Sequence, residues 1–64
     1  MDEKHRVLLV EDHPVFRDGL QSLVNSNGSL HVVGEAEDGV TAIRISGELS
    51  PDLIVMDLSL PGMS

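Results

Sequence analysis

The chain has 64 residues, 11 acidic against four basic, for a formal net charge of −7, and no cysteine. That length allows one small domain. The missing cysteines exclude disulfide and thiolate-metal staples, and the shortage of Lys and Arg argues against direct contact with nucleic acid or an anionic membrane, both of which need clustered cations.

The start, Met1 to Arg6, is charged, and the apolar run behind it is too short for a signal peptide or a membrane span. A soluble cytoplasmic protein is expected. Arg6 to Val10 reads as a first strand. Its centre, Val7-Leu8-Leu9-Val10, is continuously apolar, as in a strand buried on both faces. It runs directly into Glu11-Asp12.

Pro14 suits the first turn of a helix, where a missing N–H costs nothing. Phe16, Leu20, Leu23 and Val24 recur on one helical face, with Arg17, Asp18, Gln21 and Ser22 on the other. Asn25 to Ser29 is a turn-rich loop. The sequon Asn27-Gly28-Ser29 within it is read as a turn, since no secretory signal precedes it. Leu30 to Gly34 is a second strand. Asp38 is placed as the N-cap of a second helix, Val40 to Leu49, whose inward face is Ala42, Ile43, Ser46 and Leu49. Pro51 stops that helix, and Asp52 to Leu58 is a third strand, apolar from Leu53 to Met56 and followed by Asp57. Pro61-Gly62 is a turn.

The order β-α-β-α-β predicts an α/β fold with a parallel sheet and covering helices. Right-handed crossovers give the strand order 2-1-3. Glu11, Asp12 and Asp57 then gather at the carboxyl ends of adjacent strands, where open α/β sheets place their sites. Read alone, Glu11-Asp12 is a polar strand end and Asp57 a loop carboxylate. Together the three repel: two unit charges ~4 Å apart interact by ~4 kcal/mol at an effective dielectric of ~20. A divalent cation relieves that repulsion, and Mg²⁺ held by one or two carboxylates with phosphate oxygens is the usual form, which suggests phosphoryl chemistry.

The stretches Val7-Leu8-Leu9-Val10-Glu11-Asp12-His13-Pro14, Val33-Gly34-Glu35-Ala36 with Asp38-Gly39, and Pro51 through Met63 resemble the receiver domain of two-component response regulators. They are most similar to the NarL/FixJ type, whose receiver precedes a helix-turn-helix DNA-binding domain. The resemblance covers essentially the whole chain. It implies a truncated flavodoxin-like (receiver-type) fold over residues 1–64, lacking the later βα units and the DNA-binding domain.

It also implies roles. Asp57 matches the phospho-acceptor served by a sensor histidine kinase. Asp12 matches the acid that binds Mg²⁺ directly, and Glu11 its neighbour acting through a metal-bound water. The backbone carbonyl of Ser59 matches the remaining protein ligand. The hydroxyl residue and the lysine that the family carries on its fourth and fifth strands have no counterpart among these residues, so phosphorylation of the 64-residue piece is expected to be impaired.

His13 is weighed as a metal ligand and read instead as a solvated loop residue, because Mg²⁺ prefers oxygen to imidazole. His5 and His31 are read as surface residues. No G-x-G-x-x-G, P-loop, Ser-His-Asp or Cys-His pattern points to a nucleotide site or a hydrolase, and the chain is expected not to be an enzyme. A phosphatase with an aspartyl nucleophile is the rival reading, but its commonest family places a second Asp where Ser59 stands. The apolar third strand would form a sheet edge, so self-association of the isolated chain through Asp52 to Leu58 is expected.

Overall fold

The computed structural model describes residues 4–56. Strands β1 (His5–Val10), β2 (Leu30–Ala36) and β3 (Leu53–Met56) alternate with helices α1 (Pro14–Asn25) and α2 (Gly39–Leu49). All strand pairings are parallel and the order is β2-β1-β3, as the sequence predicts. No helix among the described residues is long and apolar enough to cross a membrane.

The continuous apolar run makes β1 the centre of the molecule. Val7, Leu8, Leu9 and Val10 are all fully buried, because β1 has a strand on each side and both helices pack against it. Successive side chains point to opposite faces. Leu8 and Val10 join Ala36 and Ala42 in one cluster, with Ile45 and Met56 packed beside it.

The pairing of β1 with β2 slips by one residue between Val7 and Leu8, so that Val7 faces Val32 while Leu8 faces Gly34. Gly34 lies where α2 comes close: a Cβ there would stand 2.5 Å from Leu49 Cδ1 and 3.5 Å from Ile45 Cγ2. The absent side chain lets α2 settle onto the sheet.

Both helix faces are rotated relative to the sequence reading. In α1 the half-buried residues are Arg17, Leu20, Gln21 and Val24, whereas Phe16 and Leu23 are exposed. The helix packs on β2 and β1 and not on β3, and polar ties through Arg17 turn that residue toward the sheet. In α2, Ile45 takes the inward place expected of Ile43, which is exposed, alongside Ala42, Ser46 and Leu49. Apolar periodicity alone could not say which part of a broad stripe meets the sheet.

The ends of the elements are tied by polar contacts. Asn25 Oδ1 accepts from the Val32 N–H at 3.0 Å, pinning the end of α1 to β2. Asn27 Oδ1 accepts from the Ser29 N–H at 2.8 Å and Ser29 O from the His5 N–H at 2.8 Å, so the sequon is a structural turn leading into the sheet. Ser50 closes α2 in the left-handed region, at φ 48°, directly before Pro51. At the start of β3, Asp52 Oδ2 accepts from the Arg6 N–H and Arg6 O from the Asp52 N–H, both at 2.8 Å.

Asp38 caps α2 as expected, its Oδ1 accepting from the Thr41 N–H at 2.7 Å. That hydrogen bond holds the Asp38 carboxyl below its ordinary range. A carboxyl with a lowered folded-state pKa contributes stability that is present above its unfolded value, ~4, and is lost as pH falls through the folded value. Asp38→Ala is therefore expected to lower the urea midpoint at neutral pH, with the gap to the wild type closing as pH drops below ~4. A gap of constant size down to strongly acid pH would show that the charged cap is not responsible.

Candidate functional site

The carboxyl end of β1 carries the acid pair. The Glu11 N–H donates to Ala36 O at 3.0 Å, so the backbone of Glu11 stays fastened to the end of β2. Its carbonyl accepts from Arg17 Nη1 at 2.8 Å, and Arg17 Nε lies 3.0 Å from Glu35 Oε1. Arg17 thus links the first turn of α1, the end of β1 and the end of β2. A cation in the first turn of a helix opposes the helix dipole, so its placement calls for acidic partners. That conflict was the signal in the sequence that Arg17 does not belong on an outer face.

The Glu11 side chain has no solvent exposure. Its Oε2 accepts from the His13 N–H at 3.1 Å and lies 2.6 Å from His13 Nδ1. The same Nδ1 lies 2.9 Å from Asp12 Oδ1. Two carboxylate oxygens thus converge on one ring nitrogen. His13 has an exposed ring, as expected of a loop residue, but it is bound to both acids rather than simply solvated. The sequence reading missed this contact, as it missed Arg17 and Glu35.

Among the described residues, Glu11 Oε1 is buried and has no hydrogen-bond partner. An unsatisfied buried polar atom costs about 1–3 kcal/mol, more when charged, so this oxygen calls for a positive partner. Glu11, Asp12 and His13 each offer a donor atom, all within 4.8 Å of one another. The two carboxylates among them are the hard oxygen donors that suit Mg²⁺. Asp12 is partly exposed, so it remains accessible to an incoming ion.

The register of β1 with β3 pairs Val10 with Met56. Asp57, Ser59 and the Pro61-Gly62 turn lie outside the described residues.

Fold and site together define a parallel α/β domain with an acidic centre at the carboxyl end of its middle strand. The response regulator receiver domain family matches residues 7–64. The transcriptional regulatory protein YdfI of Bacillus subtilis is 48% identical over 60 residues, covering 94% of this chain and 28% of that protein. The nitrate/nitrite response regulator protein NarL of Escherichia coli is 42% identical over 62 residues, covering 97% of this chain and 29% of that protein. Among solved structures, the signal receiver domain of the putative response regulator NarL from Mycobacterium tuberculosis superposes with a TM-score of 0.88 at 42% identity, covering 94% of this chain and 48% of that one. The chain belongs to the response regulator receiver domain family of bacterial two-component systems. It spans less than a third of the length of these two curated relatives.

Receiver domains as a class bind Mg²⁺ and take phosphoryl groups from sensor kinases. The Glu11–Asp12–His13 cluster is the feature here that fits such an ion.

Proposed function

We propose that residues 1–64 are the first part of a cytoplasmic receiver domain whose parent protein controls transcription, with Asp57 as the phospho-acceptor. Mg²⁺ would be held by Asp12, Asp57 and the backbone carbonyl of Ser59, with Glu11 acting through a water. The observation that carries this reading is the buried Glu11 oxygen without a partner among the described residues, set beside Asp12 at the carboxyl end of β1. The register supports it further: Glu11 and Asp57 directly follow the paired residues Val10 and Met56.

In this reading the Asp57 carboxylate attacks the phosphorus of a phosphohistidine on the sensor kinase. An O–P bond forms, the N–P bond breaks, its electron pair returns to the imidazole, and the product is an acyl phosphate. The cation, when bound, neutralises the oxygens of the phosphoryl group and of the carboxylates around it. The chain's own contribution is placement. Arg17 and the Ala36 carbonyl fix the Glu11 backbone, and His13 fixes Glu11 Oε2. DNA would be contacted only by a separate output domain, in keeping with the net charge of −7 here.

A small-molecule phosphodonor offered with Mg²⁺ is expected to add one phosphoryl mass to the protein, and Asp57→Asn to abolish it. An adduct that persists undiminished in the variant would overturn the assignment. Uptake by the 64 residues alone should be slower than by a receiver with all the family's strands, since these residues carry neither the family's hydroxyl nor its lysine.

The β3 edge supports a proposal about association. Among the described residues β3 pairs only with β1, and Leu53 and Ile54 are exposed. Such an edge templates pairing with another strand. The 64-residue chain is expected to self-associate through Asp52 to Leu58. Light scattering that reports a monomer at millimolar concentration would reject this.

A further inference from the structure

We propose that His13 makes the acid cluster a site for divalent transition ions of the imidazole-binding class (Co²⁺, Zn²⁺) in addition to Mg²⁺, by supplying Nδ1 as a ligand. The inference rests on the cation-site reading above and extends it to a nitrogen donor.

Three observations carry it. First, Nδ1 lies 2.6 Å from Glu11 Oε2 and 2.9 Å from Asp12 Oδ1. Neighbouring ligands on one octahedral ion, with bonds of ~2.1 Å, stand about 3.0 Å apart. The imidazole nitrogen therefore stands at near-ligand spacing from an oxygen of each acid. Second, the Glu11 side chain is fully buried and its Oε1 has no partner among the described residues. The imidazole contact satisfies only the other oxygen, so the cluster has a use for a further positive centre. Third, the His13 backbone is anchored: its N–H donates to Glu11 Oε2, and its carbonyl accepts from the Arg17 N–H at 2.8 Å as α1 begins. The ring is held at the site by the chain as well as by its own contacts.

The proton balance is simple. An ion bound through Nδ1 takes the lone pair of that nitrogen, so a proton held there leaves to solvent and the ring carries one at Nε2, the tautomer that metal-bound imidazoles adopt. Mg²⁺ retains oxygen ligands and waters and gains little from imidazole. Co²⁺ and Zn²⁺ bind imidazole readily. His13 should thus separate the two ion classes.

The experiment titrates Mg²⁺ and Co²⁺ separately into the protein in a background where His5 and His31, which lie toward the opposite end of the sheet, are changed to Gln. His13→Gln is expected to weaken Co²⁺ binding at least tenfold and to change Mg²⁺ binding less than threefold. In the Co²⁺ form of the parent, the His13 ring protons should show large paramagnetic shifts that bound Mg²⁺ does not produce. Because His13 is exposed, its variant is expected to fold, and an amide NMR spectrum confirms that.

Unchanged Co²⁺ affinity in His13→Gln would overturn the inference. So would equal strengthening of both ions, which would mean that the imidazole acts only as a competing positive charge. Glu11→Gln and Asp12→Asn distinguish the two levels of the argument. If neither weakens Mg²⁺ binding, the cation-site reading fails. If they weaken it while His13→Gln leaves Co²⁺ unaffected, only the role of His13 fails.

Discussion

Leu8→Ala is expected to lower the unfolding free energy by about 2–5 kcal/mol, the usual range for truncating a buried Leu. Leu8 is fully buried in the middle of the central strand and packs with Val10, Ala36 and Ala42 between β1 and α2. The surroundings can close only part of the gap. Gly34 contributes no side chain on that side, and its backbone is already approached by Leu49 and Ile45. A domain near this size has a total stability of only a few kcal/mol, at roughly 0.05–0.15 kcal/mol per residue. The substitution should therefore leave much of the population unfolded at 37 °C. Urea melts followed by far-UV circular dichroism read this directly. A loss below ~0.5 kcal/mol, the scale of an unremarkable surface change, would show that β1 is not the core the structure makes it. Function should fall with the fold, because Glu11 and Asp12 directly follow this strand and the contacts that fix Glu11 come from elements packed on it.

Glu11→Gln should act in opposite directions with and without a divalent cation. Without one, the wild type carries a buried carboxylate oxygen that has no hydrogen-bond partner. A neutral amide keeps an acceptor for the His13 N–H and removes the buried charge. The variant is then expected to be more stable by about 1 kcal/mol, or ~4–8 °C in melting temperature for a domain near this size. With Mg²⁺ at a hundredfold excess over Kd, the wild type should gain ~2.7 kcal/mol by linkage. The variant should gain much less, so the order of stability reverses. Thermal melts with EDTA and with Mg²⁺ test both halves. A variant that is less stable in EDTA, and equally stabilised by Mg²⁺, would show that Glu11 is a structural residue and no part of a cation site.

The site thus opposes stability. A core strand ends in a charge that the protein buries without fully satisfying, and the cost is local to the residues that would receive the ion. Asp38 is the contrasting case. It too is a carboxylate at the end of a loop, but its oxygen is answered by the Thr41 N–H, and its role ends with capping α2.

The two kinds of acid show what could be read in advance. Asp38 was legible because capping is a local relation between neighbours in sequence. The strand order was legible because Val7 to Val10 is apolar at every position, which only a strand covered on both faces tolerates. The helix faces were not. Phe16 and Leu23 look like core on periodicity, yet α1 lies over β2 and β1, with Arg17 bonded to the Glu11 carbonyl and facing Glu35. These are partners six and eighteen residues away, and apolar periodicity does not encode them. His13 was misread for a related reason. Judged by its preference among metals it looked uninvolved, while its ring in fact closes onto both neighbouring acids. The roles of Asp57 and Ser59 rest on the family resemblance and await direct measurement.

The most direct test of the central claim, that the acids following β1 and β3 form one divalent-cation site, is a Mg²⁺ titration followed residue by residue through backbone amide NMR. The account predicts saturable shifts concentrated at Glu11, Asp12, His13 and Asp57, with the strand starts at His5 and Leu30 unmoved. Shifts scattered over the acidic surface without saturation, or saturable shifts that leave Asp57 untouched, would contradict it.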